Sequence, residues 1–144
     1  MVPCLHTAVH VSERLLVIDA DEQVRRSYVR HFEASGFEVQ AVSSFEEAQR
    51  FAEQPFDAVI ADVRRLGGDV SDTAIASSLC AIGAAAVVLT AYGQPARAKA
   101  AARTGLADAF LHKPVSLVWL EMLLRGRILA RRQSSNGGQL PAAP

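Results

Sequence analysis

Short runs of apolar residues alternate along this chain with segments whose apolar residues recur every three or four positions. The first run, Arg14-Leu-Leu-Val-Ile-Asp19, is apolar until the acid that closes it, which suits a strand buried on both faces. Val24, Tyr28 and Phe32 follow at intervals of four, the spacing of one helix face. Asp21 is placed to cap that helix and Gly36 to stop it. Phe37 to Val42 predicts a second strand, and Ser44 with Glu47 three residues on reads as a capping box for a helix carrying Phe45, Ala48, Phe51 and Ala52. A third strand is expected over Asp57-Ala-Val-Ile-Ala-Asp62, a Gly67-Gly68 loop over 64–69, a weaker helix over Ser71–Ala81 and a fourth strand over Ala86–Thr90. An alanine-rich helix over 95–103 that Gly105 stops, a fifth strand over Ala107–Leu111, and a last helix from Pro114 to about Arg131 complete the series. Five strands each followed by a helix predict an α/β fold, a parallel sheet with helices on both faces.

Composition narrows the reading. The chain has 144 residues, half of them hydrophobic and 21% charged, enough for one domain with a packed core. The expected boundaries are a loose N-terminal arm over 1–12, the folded domain over 13–131 and a disordered tail over 132–144. Lys and Arg number 15, as do Asp and Glu, so there is no basic excess for nucleic acid. No apolar run approaches the ~20 residues of a membrane span, and the first residues lack the pattern of a signal peptide. The two cysteines, Cys4 and Cys80, make no disulfide framework, and a reducing cytoplasm is the expected compartment. Cys4, His6 and His10 fit no well-attested metal spacing.

In open parallel sheets ligands bind beyond the carboxyl ends of the strands. Asp19, Asp62 and Thr90 end the first, third and fourth strands, and Lys113 follows the fifth. A strand order of 2-1-3-4-5 makes those ends neighbours. Two carboxylates, a hydroxyl and an ammonium then meet at one rim, which packing alone gives little reason for, because buried carboxylates must be paired or neutralised.

Ile18-Asp19-Ala20-Asp21, Ala61-Asp62, Leu89-Thr90-Ala91 and Phe110-Leu111-His112-Lys113-Pro114 together resemble the receiver domain of two-component response regulators, over roughly residues 13 to 130. The resemblance implies a flavodoxin-like (βα)5 fold and no enzyme of its own. It implies that Asp62 accepts a phosphoryl group from a histidine kinase or phosphotransfer protein. Thr90 and the backbone N–H of Ala91 would contact the phosphoryl oxygens, Lys113 would pair with Asp62 and then with the phosphoryl, and Phe110 would follow Thr90 inward. It further implies Mg²⁺ held by Asp19, Asp62 and the backbone carbonyl of Arg64. A downstream protein partner, or a second copy in a homodimer, would meet the face made by the fourth helix, fifth strand and fifth helix.

The chain departs from that pattern. Ala20 stands where the second acid of the pair, the direct metal ligand, is usual; Leu66 replaces a common proline and Phe110 a common tyrosine. Alanine offers no oxygen, so Mg²⁺ binding is expected to be weakened. Asp21 is a possible substitute ligand, although helix capping suits it better. Arg64 and Arg65 could screen phosphoryl charge, and otherwise are solvated loop residues. The last helix carries more apolar residues than one buried stripe needs, among them Val118, Trp119, Met122 and Leu129, so some should be exposed to a partner or covered by the arm. Its Arg125, Arg127, Arg131 and Arg132 are expected to complement the negative helix C-terminus.

Three functions follow as expectations: a stand-alone phosphorelay receiver, a degenerate receiver acting as a phosphorylation-independent interaction module, or a flavodoxin-like cofactor or nucleotide binder. The last needs a Gly-, Ser- or Thr-rich loop after the first strand, where this chain has Asp19-Ala20-Asp21-Glu22 and no phosphate-binding glycine motif.

Overall fold

The structure is a computed structural model, and it describes residues 12–51, 53–63, 72–92 and 107–136. Five strands, β1 (Arg14–Ile18), β2 (Glu38–Val42), β3 (Ala58–Asp62), β4 (Ala86–Ala91) and β5 (Ala109–His112), form one sheet. Every pair is parallel and the order is β2-β1-β3-β4-β5. This is the expected flavodoxin-like arrangement. β1, β3 and β4 lie in the middle, and all their residues are buried except Arg14 at the start of β1.

The helices described are α1 (Glu22–Ala34), α2 (Phe45–Ala48) continued by a 3₁₀ turn at Gln49–Phe51, α3 (Asp72–Ile82) and α4 (Leu117–Asn136). The helix expected over 95–103, the loop over 64–69 and the arm through residue 11 lie outside the described residues.

Strand side chains alternate between faces, and the core divides accordingly. Leu15, Val17, Ala58, Ile60, Ala86 and Val88 pack against Tyr28 and Phe32 of α1 and Leu120, Leu124 and Ile128 of α4. Leu16, Ile18, Val59, Ala61, Val87 and Leu89 pack on the other face against Phe45 and Ala48 of α2 and Leu79 and Ile82 of α3. Full burial of one such aliphatic side chain stabilises the fold by about 1.5–3 kcal/mol.

Helix ends follow the expected chemistry in part. Asp21 Oδ1 accepts from the N–H groups of Gln23 and Val24 at 2.9 and 3.4 Å, and Gly36, at φ 96°, takes the left-handed turn after α1. Ser44 Oγ accepts from Glu47 N at 3.1 Å. The Glu47 carboxylate reaches back to Ser43 rather than Ser44, accepting from its N–H at 3.0 Å and its hydroxyl at 2.9 Å. Those bonds hold the Glu47 carboxyl below its usual range.

The last helix departs from expectation at both ends. Pro114 does not begin it: the Lys113–Pro114 peptide is cis, and Ser116 supplies the cap, its Oγ 3.3 Å from Trp119 N. The helix runs to Asn136, so residues 132–136 are helical rather than part of a structureless tail. Arg132 ties this extension to Glu13 at 3.4 Å. The Ser134 and Ser135 hydroxyls each donate to the carbonyl four residues back at 3.1 Å.

The arginines also act differently from the expected complement to the helix dipole. Arg125 donates to Glu13 at 3.0 Å and to the Ser35 carbonyl at 2.6 Å, and lies over the Phe37 ring at 4.5 Å. Arg131 donates to the Ala84 carbonyl at 3.1 Å. They fasten α4 to the amino-terminal pole of the sheet. There two acids also cap neighbouring strands: Asp57 accepts from Arg14 N at 2.7 Å and Asp108 from Val87 N at 2.8 Å.

On the outer face of α4, Val118, Trp119, Met122 and Leu129 are exposed, as the surplus of apolar residues led us to expect. Burial separates the two faces energetically. Leu124→Ala is expected to cost about 2–5 kcal/mol in urea unfolding, and Met122→Ala no more than about 0.5 kcal/mol; equal losses would contradict the assigned facing of the helix.

Candidate functional site

The same alternation that divides the core selects one face for the strand-end residues. Asp19 follows Leu15 and Val17, Asp62 follows Ala58 and Ile60, and Thr90 follows Ala86 and Val88, all at period two. Lys113 continues Ala109 and Leu111. All four therefore rise on the α1/α4 side at the carboxyl edge, and all four are buried. Asp62 and Thr90 are level in the β3–β4 register.

Lys113 joins the acids. Its Nζ donates to Asp19 Oδ2 at 2.5 Å and to Asp62 Oδ2 at 2.7 Å. Burial presses the ammonium toward neutrality, but the hydrogen bonds and charges of Asp19 and Asp62 outweigh that, and the Lys113 pKa is raised above an ordinary lysine's. Asp19 Oδ1 accepts from Asp21 N at 2.9 Å, so both its oxygens are engaged. The Thr90 hydroxyl is fully buried and has no hydrogen-bond partner among the described residues.

Other expected site residues fall elsewhere. Ala91 is buried at the end of β4, and its carbonyl accepts from Lys113 N at 3.1 Å. Phe110 is half-buried on the opposite face, packed against the α2/α3 core and set edge-on to His112 at 5.2 Å; it is not drawn to the triad. The Asp21 carboxylate is committed to capping α1. Arg64 and Arg65 lie outside the described residues.

Three contributors escaped the sequence reading. Arg25 of α1 donates to the Asp19 backbone carbonyl at 2.7 Å. Tyr92 places its ring 5.3 Å from Lys113 Nζ. Tyr28 reads in sequence as a core residue of α1, and only its fold shows its phenol close to the acids. Burial first, then the charges of Asp19 and Asp62, push that phenol well above the ordinary tyrosine range. Tyr28, Tyr92, Lys113 and Pro114 border a cleft of about 410 Å³ between α1 and the start of α4.

The donor set falls short of a divalent metal. Ala20 supplies no side-chain oxygen, Asp21 is turned to its helix, and Asp19 and Asp62 share one ammonium. Among the described residues no three His, Cys, Asp or Glu side chains come together as a metal site. Mg²⁺ requires near-octahedral oxygen coordination and gives up water reluctantly, so these residues do not fit it.

No family model matches the chain, and no curated protein sequence does. Solved structures do. A receiver domain protein from Clostridium thermocellum is 26% identical with a TM-score of 0.71, over 84% of this chain and 98% of that one. A CheY-like receiver domain protein from Methanospirillum hungatei is 17% identical with a TM-score of 0.75, over 85% and 98%. A response regulator from Burkholderia pseudomallei, solved with a phosphorylated aspartic acid, calcium ion and citrate, is 23% identical with a TM-score of 0.68, over 90% and 76%. The chain thus has the fold of response-regulator receiver domains. Among the described residues no helix is long and apolar enough to cross a membrane.

Two outcomes test the electrostatics. Lys113→Met should cost about 3–5 kcal/mol at neutral pH, because it leaves two buried carboxylates unpaired; an unchanged urea midpoint would show that the amine is not what holds them. A raised pKa means the folded state holds its proton more tightly than the unfolded chain does. For Tyr28 and Lys113 that stability is complete below the ordinary pKa of each group, 10.0 and 10.5, and is lost as pH climbs through the raised values. Of the two tyrosines, one should show tyrosinate absorbance only together with alkaline unfolding, and Tyr28→Phe should abolish that late component.

Proposed function

We propose that this chain is a receiver module of two-component signalling in which Asp62 is the phosphoacceptor. A carboxylate oxygen of Asp62 forms a bond to phosphorus as the bond from phosphorus to the donor breaks, and the electron pair leaves with the donor group. The donor is the phosphohistidine of a histidine kinase or phosphotransfer protein. A carboxylate is a weak nucleophile, so the site's contribution is positioning and charge stabilisation. Lys113 supplies the fixed positive charge, and the Ala91 N–H is a further donor toward the same oxygens.

The observation that carries this reading is the buried Thr90 hydroxyl, level with Asp62 and without a partner among the described residues. Buried hydroxyls are rarely left unsatisfied, and a phosphoryl oxygen on Asp62 would satisfy this one. The phosphorylated aspartic acid of the Burkholderia response regulator supports the same acceptor chemistry on this fold. The output is a protein partner, or a second copy in a homodimer, meeting the face made by the helix expected over 95–103, β5 and α4. The exposed Val118, Trp119 and Met122 supply apolar contact there. Its expected setting is the cytoplasm.

A second reading has its own support. Ala20 and the closed Asp19–Lys113–Asp62 arrangement equally suit an interaction module whose surface works without phosphorylation.

Incubation with a small acyl phosphate, with and without Mg²⁺, followed by intact mass, separates the readings. A single phosphoryl adduct on the wild type, absent from Asp62→Asn, is expected. No adduct under any condition leaves the interaction module, and an adduct that survives Asp62→Asn moves the acceptor elsewhere.

A further inference from the structure

We infer that the acid pair does not take a divalent cation, and that its counterion is built into the chain as the Lys113 ammonium with the Arg25 guanidinium beside it. The inference deepens the phosphoacceptor reading and rests on it only for its consequence, since it concerns the resting site.

The argument begins with the donors. A metal at this rim would need oxygens from the loop after β1 and from the end of β3. The loop offers one carboxylate free of a helix cap, Asp19, because Ala20 has no side-chain oxygen and Asp21 Oδ1 accepts from two N–H groups of α1. Of the Asp19 oxygens, one accepts from the Asp21 N–H and the other from Lys113. Each of these oxygens keeps a second lone pair, but a dication on Oδ2 would sit against the Lys113 ammonium that already donates to it, and like charges that close repel.

Charge points the same way. Two carboxylates facing one ammonium leave a net charge of about −1, a weaker pull on a dication than a three-acid rim at about −2. The Arg25 guanidinium, 2.7 Å from the Asp19 carbonyl, puts a second fixed positive charge at the lip of the same loop. The other acids nearby in the chain are engaged elsewhere: Asp21 and Glu47 accept from backbone N–H groups, and Glu22 pairs with Arg26 at 2.9 Å. None of them is turned toward the pair. The Lys113 amine bonds one oxygen of each acid at 2.5 and 2.7 Å, so it already bridges the two carboxylates as a metal would.

The consequence is regulatory. A phosphoryl group arriving on Asp62 would be neutralised by side chains only, so occupancy of the site would follow the donor and not the cellular Mg²⁺ level.

Binding is read with no phosphodonor present, so the result is separate from whether Asp62 is ever phosphorylated. Mn²⁺ is titrated into ¹⁵N-labelled full chain, and paramagnetic loss of amide signals is followed at Asp19, Ala20, Asp62 and Thr90. The wild type should keep these signals at Mn²⁺ concentrations that erase them in Ala20→Asp, whose affinity should be roughly tenfold or more higher. Saturable signal loss centred on Asp19 and Asp62 in the wild type overturns the inference, and that titration stands by itself should Ala20→Asp not fold. An Ala20→Asp chain that folds and binds Mn²⁺ no better than the wild type overturns the account from missing donors.

Discussion

Two carboxylates buried side by side at the carboxyl edge of the sheet need a partner of opposite charge, and the Lys113 amine is that partner. It lies 2.5 Å from Asp19 and 2.7 Å from Asp62, so the acids stand no farther apart than those two bonds allow. The sheet order makes the meeting possible. β1 and β3 are neighbours, which sets Asp19 beside Asp62. β5 is separated from β3 by β4, about 10 Å across the sheet. The cation must come over that strand on a long stem. Lysine has one, and the residue of β4 level with Asp62 is the small Thr90. The same arrangement leaves the Thr90 hydroxyl buried, with no hydrogen-bond partner among the described residues.

This pairing also orders the chemistry around it. The amine serves both acids, so a change of charge at Asp62 is felt at Asp19 through it. Losing Asp62 from that set leaves the ammonium bound to Asp19, still in a buried place and still charged. The energy of that change is therefore a difference between two paired states, which is smaller than the cost of an unpaired buried charge.

Much of this was legible in the residues. Period-two alternation through Leu15, Val17 and Asp19, and through Ala58, Ile60 and Asp62, places both acids on one face before any coordinates are known. Apolar runs ending in acids marked β1 and β3, and Asp21 with Gly36 marked α1. The strand order was expected from resemblance, and the sheet has it. What escaped the pattern has physical reasons. Tyr28 occupies a core position whose ring is ordinary and whose phenol reaches a different environment, and hydropathy does not separate the two ends of one side chain. Phe110 sits one residue out of phase with Thr90, and so lands on the far face. Proline suits the first turn of a helix as well as a loop, so Pro114 did not reveal that Ser116 caps α4 and the helix begins at Leu117. Polar residues after Arg131 looked like a tail because the partner that holds Arg132, Glu13, is 119 residues away in sequence.

Those distant partners bear on how a change at the site could travel. α4 is fixed from its middle onward. Glu121 accepts from the Ser35 hydroxyl and from Arg125, an arrangement that holds its carboxyl below the usual range, and His31 Nε2 lies 3.0 Å from it. Arg125 and Arg132 grip Glu13, which leads into β1. The start of the helix has fewer ties: it hangs from Ser116, three residues beyond Lys113, with Val118 and Trp119 facing solvent. A displacement of Lys113 would therefore meet a helix clamped at one end and joined at the other through Pro114, Val115 and Ser116. The exposed Val118, Trp119 and Met122 lie on the first turns of that helix, nearest in the chain to Lys113, whereas Leu129 lies within the clamped part, between Arg125 and Arg132.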